Sequence, residues 1–287
     1  MAGNDNVLIK LRAAKDTLTP VERKVADYIE ENLDGIPKMS IKKLARNSGT
    51  SDASVLRFCK TIGYSSYRDF IVGISLHLGG IEDSARGQYT DIRPGDHLDT
   101  IISNISFNNC KSIEDTLSVL DETEIARAVS LLRATDHVDF YGVGANSVVC
   151  EDARQKFSRI NMHCHAYVDA HSQLTAAALL GKGDLVVLFS NSGTTDDILQ
   201  VLEIAKAAGA TTIAVTRYSK SPLAQGADVL LSISTPEITI RSGAMGSRIA
   251  MLNIVDILFV GVASLEYNKV KTYLTKTHNI LSIKRRP

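Results

Sequence analysis

A chain of 287 residues, 44% hydrophobic and 22% charged, has the make-up of a folded protein with about two globular units of roughly 150 residues each, which excludes a disordered chain and a fibrous repeat. Lysine plus arginine and aspartate plus glutamate both number 32, so net charge names no partner. No apolar run approaches the roughly 18 residues that span a bilayer, and MAGNDNVLIK lacks the basic-then-apolar order of a signal peptide, so a cytoplasmic protein with no membrane partner is expected. The four cysteines, Cys59, Cys110, Cys150 and Cys164, form no C-x-x-C pair and read as free thiols.

The first 80 residues read as helices alone. Apolar positions recur at helical spacing in Val7, Leu8 and Leu11 and again in Val21, Val25, Ala26, Ile29 and Leu33. Thr19 stands before Pro20 and three residues before Glu22, a capping-box start that predicts a helix from about Pro20 to Asn32. From Lys38 to Arg68 seven basic residues face a single acid, Asp52, the local excess that a phosphate-contacting surface needs. Within this stretch SIKKLARNSGTSDASVLRFCKTIGY has the form of a helix-turn-helix. Ile41, Leu44 and Ala45 face inward from the first helix, Asn47-Ser48-Gly49 turns the chain, and Ser51 caps a second helix with Val55, Phe58 and Ile62 inward. Asp52, Ser54, Arg57 and Lys60 are expected to point outward. Arginine can hold guanine bidentately in the major groove and lysine suits phosphate, so the candidate DNA contacts are Lys43, Ser51, Ser54, Arg57 and Lys60. A three-helix packing module without DNA is the bland alternative.

The glycine- and charge-rich stretch Gly79 to Asp96 suggests a linker, so the expected division is 1–80, a linker at 81–98, and a second domain at 99–287. Beyond it helices alternate with the short apolar runs HVDFYGV, HCHAYV, DLVVLFS, TTIAVT and DVLLSI, the signature of a five-stranded parallel sheet flanked by helices. With the flavodoxin-like order 2-1-3-4-5, ligands bind at the carboxyl ends of the strands. Gly142-Val143-Gly144-Ala145-Asn146-Ser147 leaves the first strand like a dinucleotide loop, but Ser147 stands where the third glycine would be. Asp169 could then meet a ribose; a plain tight turn is the alternative. More specific is Ser190-Asn191-Ser192-Gly193-Thr194-Thr195, whose hydroxyls and free N–H groups converge at a helix start and suit a phosphate monoester; a Ser/Thr-rich helix cap is the alternative. His171 could touch sugar hydroxyls or move a proton, against a capping Asp169 beside a surface histidine. Glu237, Arg241 and Ser242 follow the last strand and either close over a ligand or form a loop ion pair. His163-Cys164-His165 offers only half of a tetrahedral metal site with no carboxylate near in sequence, so a buried strand and no metal are expected. The chain ends in two helices, Ser247 to Glu266, apolar all round, and Lys269 to Ser282, before a basic tail, Lys284-Arg285-Arg286.

Taken together, LTPVERKVADYIEENLD, SVLRFCKTIGYSSYRDF, YGVGANS, GDLVVLFSNSGTTDDIL and RSGAMGSRIAMLNIVDILFVG resemble, in order and over nearly the whole chain, the RpiR family of bacterial transcriptional regulators. The resemblance implies an N-terminal helix-turn-helix joined to a sugar isomerase (SIS) domain that binds a phosphosugar. It matches Ser190, Ser192 and Thr195 to the family's phosphate loop and Gly142 and Gly144 to its first strand turn. Asn146 stands where the family often has serine, so Asn146 or the adjacent Ser147 would supply that contact. The implied effector-site residues are Gly144, Asn146, Ser147, His171, Ser190, Ser192, Gly193, Thr195, Glu237 and Arg241. The implied protein is a repressor of a carbohydrate operon, with amino-sugar phosphates as the effector class, that binds inverted-repeat operator DNA as a homodimer or tetramer without a cofactor. The rival reading is a SIS-fold isomerase using His171 and Asp169 as acid and base. A nucleotide-binding oxidoreductase would rest on GVGANS alone.

Overall fold

Thr19 starts a helix in the way its neighbours dictate. Its hydroxyl accepts from the Glu22 N–H at 3.3 Å, while Glu22 Oε2 accepts from the Thr19 N–H at 3.0 Å and from the Thr19 hydroxyl at 2.7 Å, with Pro20 in the first turn. The helix runs from Pro20 to Glu31. The computed structural model describes residues 7–15, 17–79, 95–135, 137–167, 169–235 and 244–282. The chain divides into two units, Met1–Gln88 and Tyr89–Pro287. Most of the expected linker, residues 80–94, lies outside the described residues, as does the basic tail.

Among the described residues the first unit is helical throughout: α1 (Val7–Ala14), α2 (Pro20–Glu31), a 3-10 turn (Leu33–Lys38), α3 (Ile41–Asn47), α4 (Asp52–Thr61) and α5 (Tyr67–Gly79). Val25, Ile29, Leu44, Val55, Phe58 and Phe70 make one core. Phe70 meets Phe58 and Tyr64 edge-on, with centroids 6.0 and 5.7 Å apart. Gly73 is needed here, since a Cβ would lie 2.6 Å from Tyr64 Oη. Glu22 has a second task that local sequence does not announce: its Oε1 accepts from the Thr61 hydroxyl at 2.8 Å, tying the end of α4 to the start of α2.

The second unit opens with α6 (Leu98–Val119) and α7 (Glu122–Ala134), then builds β1 (His137–Gly142), α8 (Ala145–Ser158), β2 (His163–Tyr167), α9 (Ala170–Ala177), β3 (Leu185–Ser190), α10 (Asp196–Ala208), β4 (Thr211–Arg217), α11 (Pro222–Gly226), β5 (Val229–Ile233), α12 (Met245–Leu265) and α13 (Tyr267–Ser282). The strands pair in parallel, as the alternation of strand and helix implies, and take the expected flavodoxin-like order β2-β1-β3-β4-β5. Strand alternation divides the core. Val138, Phe140, Val187 and Phe189 pack with α7, α8 and α12 on one face, and Tyr141, Val186 and Leu188 with α9, α10 and α11 on the other. Central β3 is buried along its whole length.

Two expectations are corrected. The strand HCHAY is not buried: as an edge strand it leaves His163 and His165 exposed. Second, α12 spans 21 residues with a mean hydropathy of 1.8 in its most apolar window, long and apolar enough by composition to cross a bilayer. Arg248, Asn253 and Asp256 interrupt it, so a search for uninterrupted apolar runs passes it over. Its Ala250, Met251, Ile254, Val255, Leu258 and Val262 are buried in the sheet's core. The four cysteines are free, and burial pushes the Cys59 and Cys164 thiols up to about 12.

Burial pushes the Glu22 carboxyl up, but hydrogen bonds from Thr19 and Thr61 and the charge of Arg57 outweigh it and hold the group below its ordinary 4.5. A depressed folded value adds stability that is present above the unfolded value and lost as pH falls through the folded one. Glu22→Gln therefore melts below the wild type at pH 7, and the gap closes as acid protonates Glu22. Thr19→Ala, which removes the cap, costs about 1 kcal/mol. Thermal unfolding of the full chain between pH 7 and pH 3 checks both, and a gap independent of pH would contradict the assignment.

Candidate functional site

The helix-turn-helix is closed by three serines. Ser40 accepts from the Lys43 N–H at 3.3 Å and caps α3, the Ser48 hydroxyl donates to Leu44 O at 2.8 Å, and Ser51 accepts from the Ser54 N–H at 3.2 Å and caps α4. Gly49, with φ of +65°, supplies the left-handed residue in the turn. Val55, Phe58 and Ile62 face inward as expected, and Lys43, Arg57 and Lys60 are exposed, as are Lys42 and Arg46. Ser54 is the correction. It is only 5% exposed, with its hydroxyl 2.9 Å from Ser51 Oγ, because positions 54, 58 and 62 share one helical stripe and that stripe is the core. The outward stripe is Ala53, Leu56, Arg57 and Lys60, with Leu56 41% exposed. Counting by three and four from Lys60 finds Ala53 and Leu56, which the charge-based reading passed over.

At the carboxyl ends of β1 and β3 the structure brings together most of the expected effector residues. The Ser190 and Thr195 hydroxyls lie 3.0 Å apart, and the Ser192 hydroxyl is 3.4 Å from Thr195 Oγ1. Ser190 Oγ also accepts from the Gly193 N–H at 3.1 Å, and Ser192 Oγ from the Thr194 N–H at 3.3 Å. Thr195 occupies the N-cap of α10 without a side-chain capping bond, so its hydroxyl is turned toward the two serines rather than spent on the helix. The first N–H groups of α10 have no intrahelical acceptor and carry the helix's positive end. Asp196 and Asp197 in the first turn answer that same positive end, so direct donors matter more here than the dipole. Gly193 has φ of +65°, and a Cβ there would fall 2.1 Å from Ser221 Oγ and 2.9 Å from Thr216 Oγ1. The glycine thus lets the loop lie against the start of α11, a reason beyond access to a ligand.

The β1 loop is fastened to this one. Asn146 Nδ2 donates to Phe189 O at 3.3 Å, and the Ser147 hydroxyl donates to Gly144 O at 2.7 Å, so both side chains have internal partners. Gly144 is the exposed N-cap of α8 with φ of +60°. Gly142 admits no side chain, since its Cβ would lie 2.8 Å from Cys150 Sγ. Gln173, which sequence reasoning did not select, is fully buried and donates from Nε2 to both Gly142 O and Tyr167 O at 2.9 Å, stitching the ends of β1 and β2 together. Asp169 caps α9 by accepting from the Ser172 N–H at 2.9 Å, and this hydrogen bond holds its carboxyl below the ordinary range. His171 is exposed in the first turn of α9. Asp169 thus takes the capping role that was the alternative, beside an exposed His171. Glu237, Arg241 and Ser242 lie outside the described residues. Asn191 Oδ1 and Thr216 Oγ1, beside the hydroxyl cluster, are buried without hydrogen-bond partners, a polarity that a ligand or solvent would satisfy.

Residues 5–78 match the helix-turn-helix domain of the rpiR family, and residues 131–261 match the SIS domain. Over 280 residues the chain is 41% identical to an uncharacterized HTH-type transcriptional regulator of Caldanaerobacter subterraneus subsp. tengcongensis, covering 98% of each protein. It is 35% identical over 268 residues to the uncharacterized HTH-type transcriptional regulator YbbH of Bacillus subtilis, covering 93% of this chain and 94% of that one. Among solved structures it resembles the Vibrio vulnificus NanR protein complexed with ManNAc-6P, with a TM-score of 0.62 at 26% identity over 98% of this chain and 100% of that one. The similarity to these regulators runs end to end. A basic helix-turn-helix, a parallel sheet with a hydroxyl-lined strand end, and this identity together place the chain in the rpiR family of helix-turn-helix transcriptional regulators with a SIS domain.

Proposed function

We propose that the chain is a repressor of a carbohydrate-use operon whose affinity for DNA is set by a sugar phosphate, of the amino-sugar class, held at the carboxyl ends of β1 and β3. The observation that carries this is the convergence of the Ser190, Ser192 and Thr195 hydroxyls, with Thr195 released from capping its own helix. Hydroxyl and N–H donors around a phosphate make charge-assisted bonds, and Gly193 keeps the loop tight. The amino-sugar class is supported by the likeness to NanR, which was solved with ManNAc-6P. On this reading Gly144, Asn146, Ser147 and His171 line the sugar's side of the site, and Glu237 and Arg241 act from the segment after β5. Residues 1–80 read DNA, 99–287 read the effector, and 81–98 connect them. Arg57 reads a base with Leu56 and Ala53 beside it for thymine methyl contacts, while Lys43, Lys60 and the capping residue Ser51 hold phosphate. Leu98, Ile101 and Ile102 of α6 and Val260 and Leu265 of α12 leave apolar surface exposed, which supports a homodimer or tetramer and hence an inverted-repeat operator.

Ser192→Ala weakens the phosphorylated sugar by about 1–2 kcal/mol, as expected for one hydrogen bond to a charged group. Calorimetry with ManNAc-6P and unphosphorylated ManNAc tests the site itself: equal affinity for the two would refute a phosphate-centred reading.

At the DNA face Arg57→Ala loses roughly 1–3 kcal/mol of discrimination at one operator position, whereas Lys60→Ala weakens all sequences alike and flattens the salt dependence. Binding to an operator library at several salt concentrations separates these outcomes, and an unchanged preference in Arg57→Ala would remove the base contact.

Effector and operator are coupled reciprocally. Saturating sugar phosphate lowers operator affinity by some factor, typically 5–150-fold, and operator DNA lowers effector affinity by the same one. Titration of labelled operator at graded effector concentrations measures the factor; a factor of one would end the regulatory claim.

A further inference from the structure

At the other end of the sheet, two imidazoles and a carboxylate meet in a way that hydrogen bonding alone does not explain. His137 opens β1, Asp139 follows two residues later on the same face, and His165 stands opposite Asp139 on β2. Asp139 Oδ1 lies 2.9 Å from His137 Nε2 and 3.1 Å from His165 Nδ1, and the two nitrogens are themselves 3.1 Å apart. An ionised carboxylate can only accept, so however the two imidazoles are protonated, one of the three edges joins two donors or two acceptors.

A cation removes this conflict, because all three atoms then present lone pairs to one centre. An ion about 2.0–2.2 Å from each donor would sit roughly 1 Å above the plane of a triangle with these edges. The imidazoles are 35% and 57% exposed, so water can reach the triad, while the carboxylate is 4% exposed. The surroundings are arranged as metal ligands need. Tyr141 Oη donates to Asp139 Oδ2 at 3.2 Å, fixing the carboxylate with Oδ1 turned to the imidazoles. Asp184 Oδ1 lies 3.8 Å from His137 Nδ1, the ring nitrogen turned away from Asp139. Asp184 is itself held by the Gly181 N–H at 2.7 Å.

We infer that His137, Asp139 and His165 form a binding site for a divalent transition-metal ion such as Zn2+. Two imidazoles and one carboxylate suit a borderline ion and not Mg2+ or Ca2+, which take oxygen ligands. Water completes the coordination. Cys164, between the histidines, takes no part, since strand alternation turns it to the opposite face, where its thiol donates to Met162 O at 3.3 Å. The ion would link edge strand β2 to β1. Gly142, at the start of the β1 loop, lies five residues along β1 from His137 and three from Asp139, roughly 16 and 10 Å, and none of the three ligands belongs to the proposed effector site, so metal binding and effector binding stand or fall separately.

The test uses the full chain, freed of metal by chelation and titrated with Zn2+ by calorimetry and with Co2+ by visible absorption. One equivalent binds saturably and raises the melting temperature. His137→Gln and His165→Gln each weaken binding at least tenfold and abolish the thermal shift, while His278→Ala, an exposed histidine of α13, binds as the wild type does. Asp139→Asn removes the third ligand, and because Asp139 is buried the two surface histidine variants keep the test independent of its folding. No saturable binding of either ion, or binding within twofold of wild type in both histidine variants, would overturn the site.

Discussion

Five strands running in one direction impose the constraint on which the second unit is built. Parallel pairing gathers every strand's carboxyl end at one edge of the sheet, and the loops that leave those ends have to meet there. Because β3 is buried along its whole length, its last residue, Ser190, brings a hydroxyl into the interior with 1% of its surface exposed. A buried hydroxyl needs partners. It finds them in Thr195 and the Gly193 N–H, and in doing so folds the loop back on itself. The glycines follow from the same crowding: Gly142 yields to Cys150 and Gly193 to Ser221, so both loops are shaped by the helices that pack beneath them as much as by what binds above.

The helical unit solves a different problem, that of presenting one helix face while holding the other. Glu22 does this with one carboxylate, since Oε2 closes the capping box of α2 and Oε1 accepts from Thr61 at the far end of α4. Helix α4 is thereby anchored at its start by Ser51, at its end by Thr61, and along one stripe by Val55, Phe58 and Ile62. The stripe bearing Arg57 and Lys60 is left exposed. The inward side chains fix the direction in which that face points.

Features carried by a few consecutive residues were legible in the sequence. The capping box, the helix-turn-helix, the individual strands and the serine-rich loop all depend on spacing within about ten residues, where periodicity and cap chemistry act. Ser54 misled because its type suits DNA while its place, four residues from Phe58, belongs to the core. Gln173 and the Thr61 tie were hidden for the opposite reason: their partners, Gly142 and Glu22, are 31 and 39 residues away. The metal triad shows the same limit. HCH carries no nearby carboxylate in sequence, and the register of β1 on β2 supplies Asp139 from 26 residues upstream.

Among the described residues, the hydrogen bonds at the proposed effector site join hydroxyls and backbone N–H groups. Neutral donors bind a phosphate through direction and number, so affinity depends on how accurately the loops are placed. Ser190 is tied to Thr195 within its own loop, while Asn146 and Gln173 tie the β1 loop to β3 and β2. A ligand that demands a slightly different spacing of Ser192 and Thr195 must therefore work against bonds that span three strands. A ligand shifts an equilibrium only by its differential affinity for the two states. A site whose donors are fastened to the sheet in this way converts a small local mismatch into such a difference, where a flexible lysine would follow the phosphate and report little.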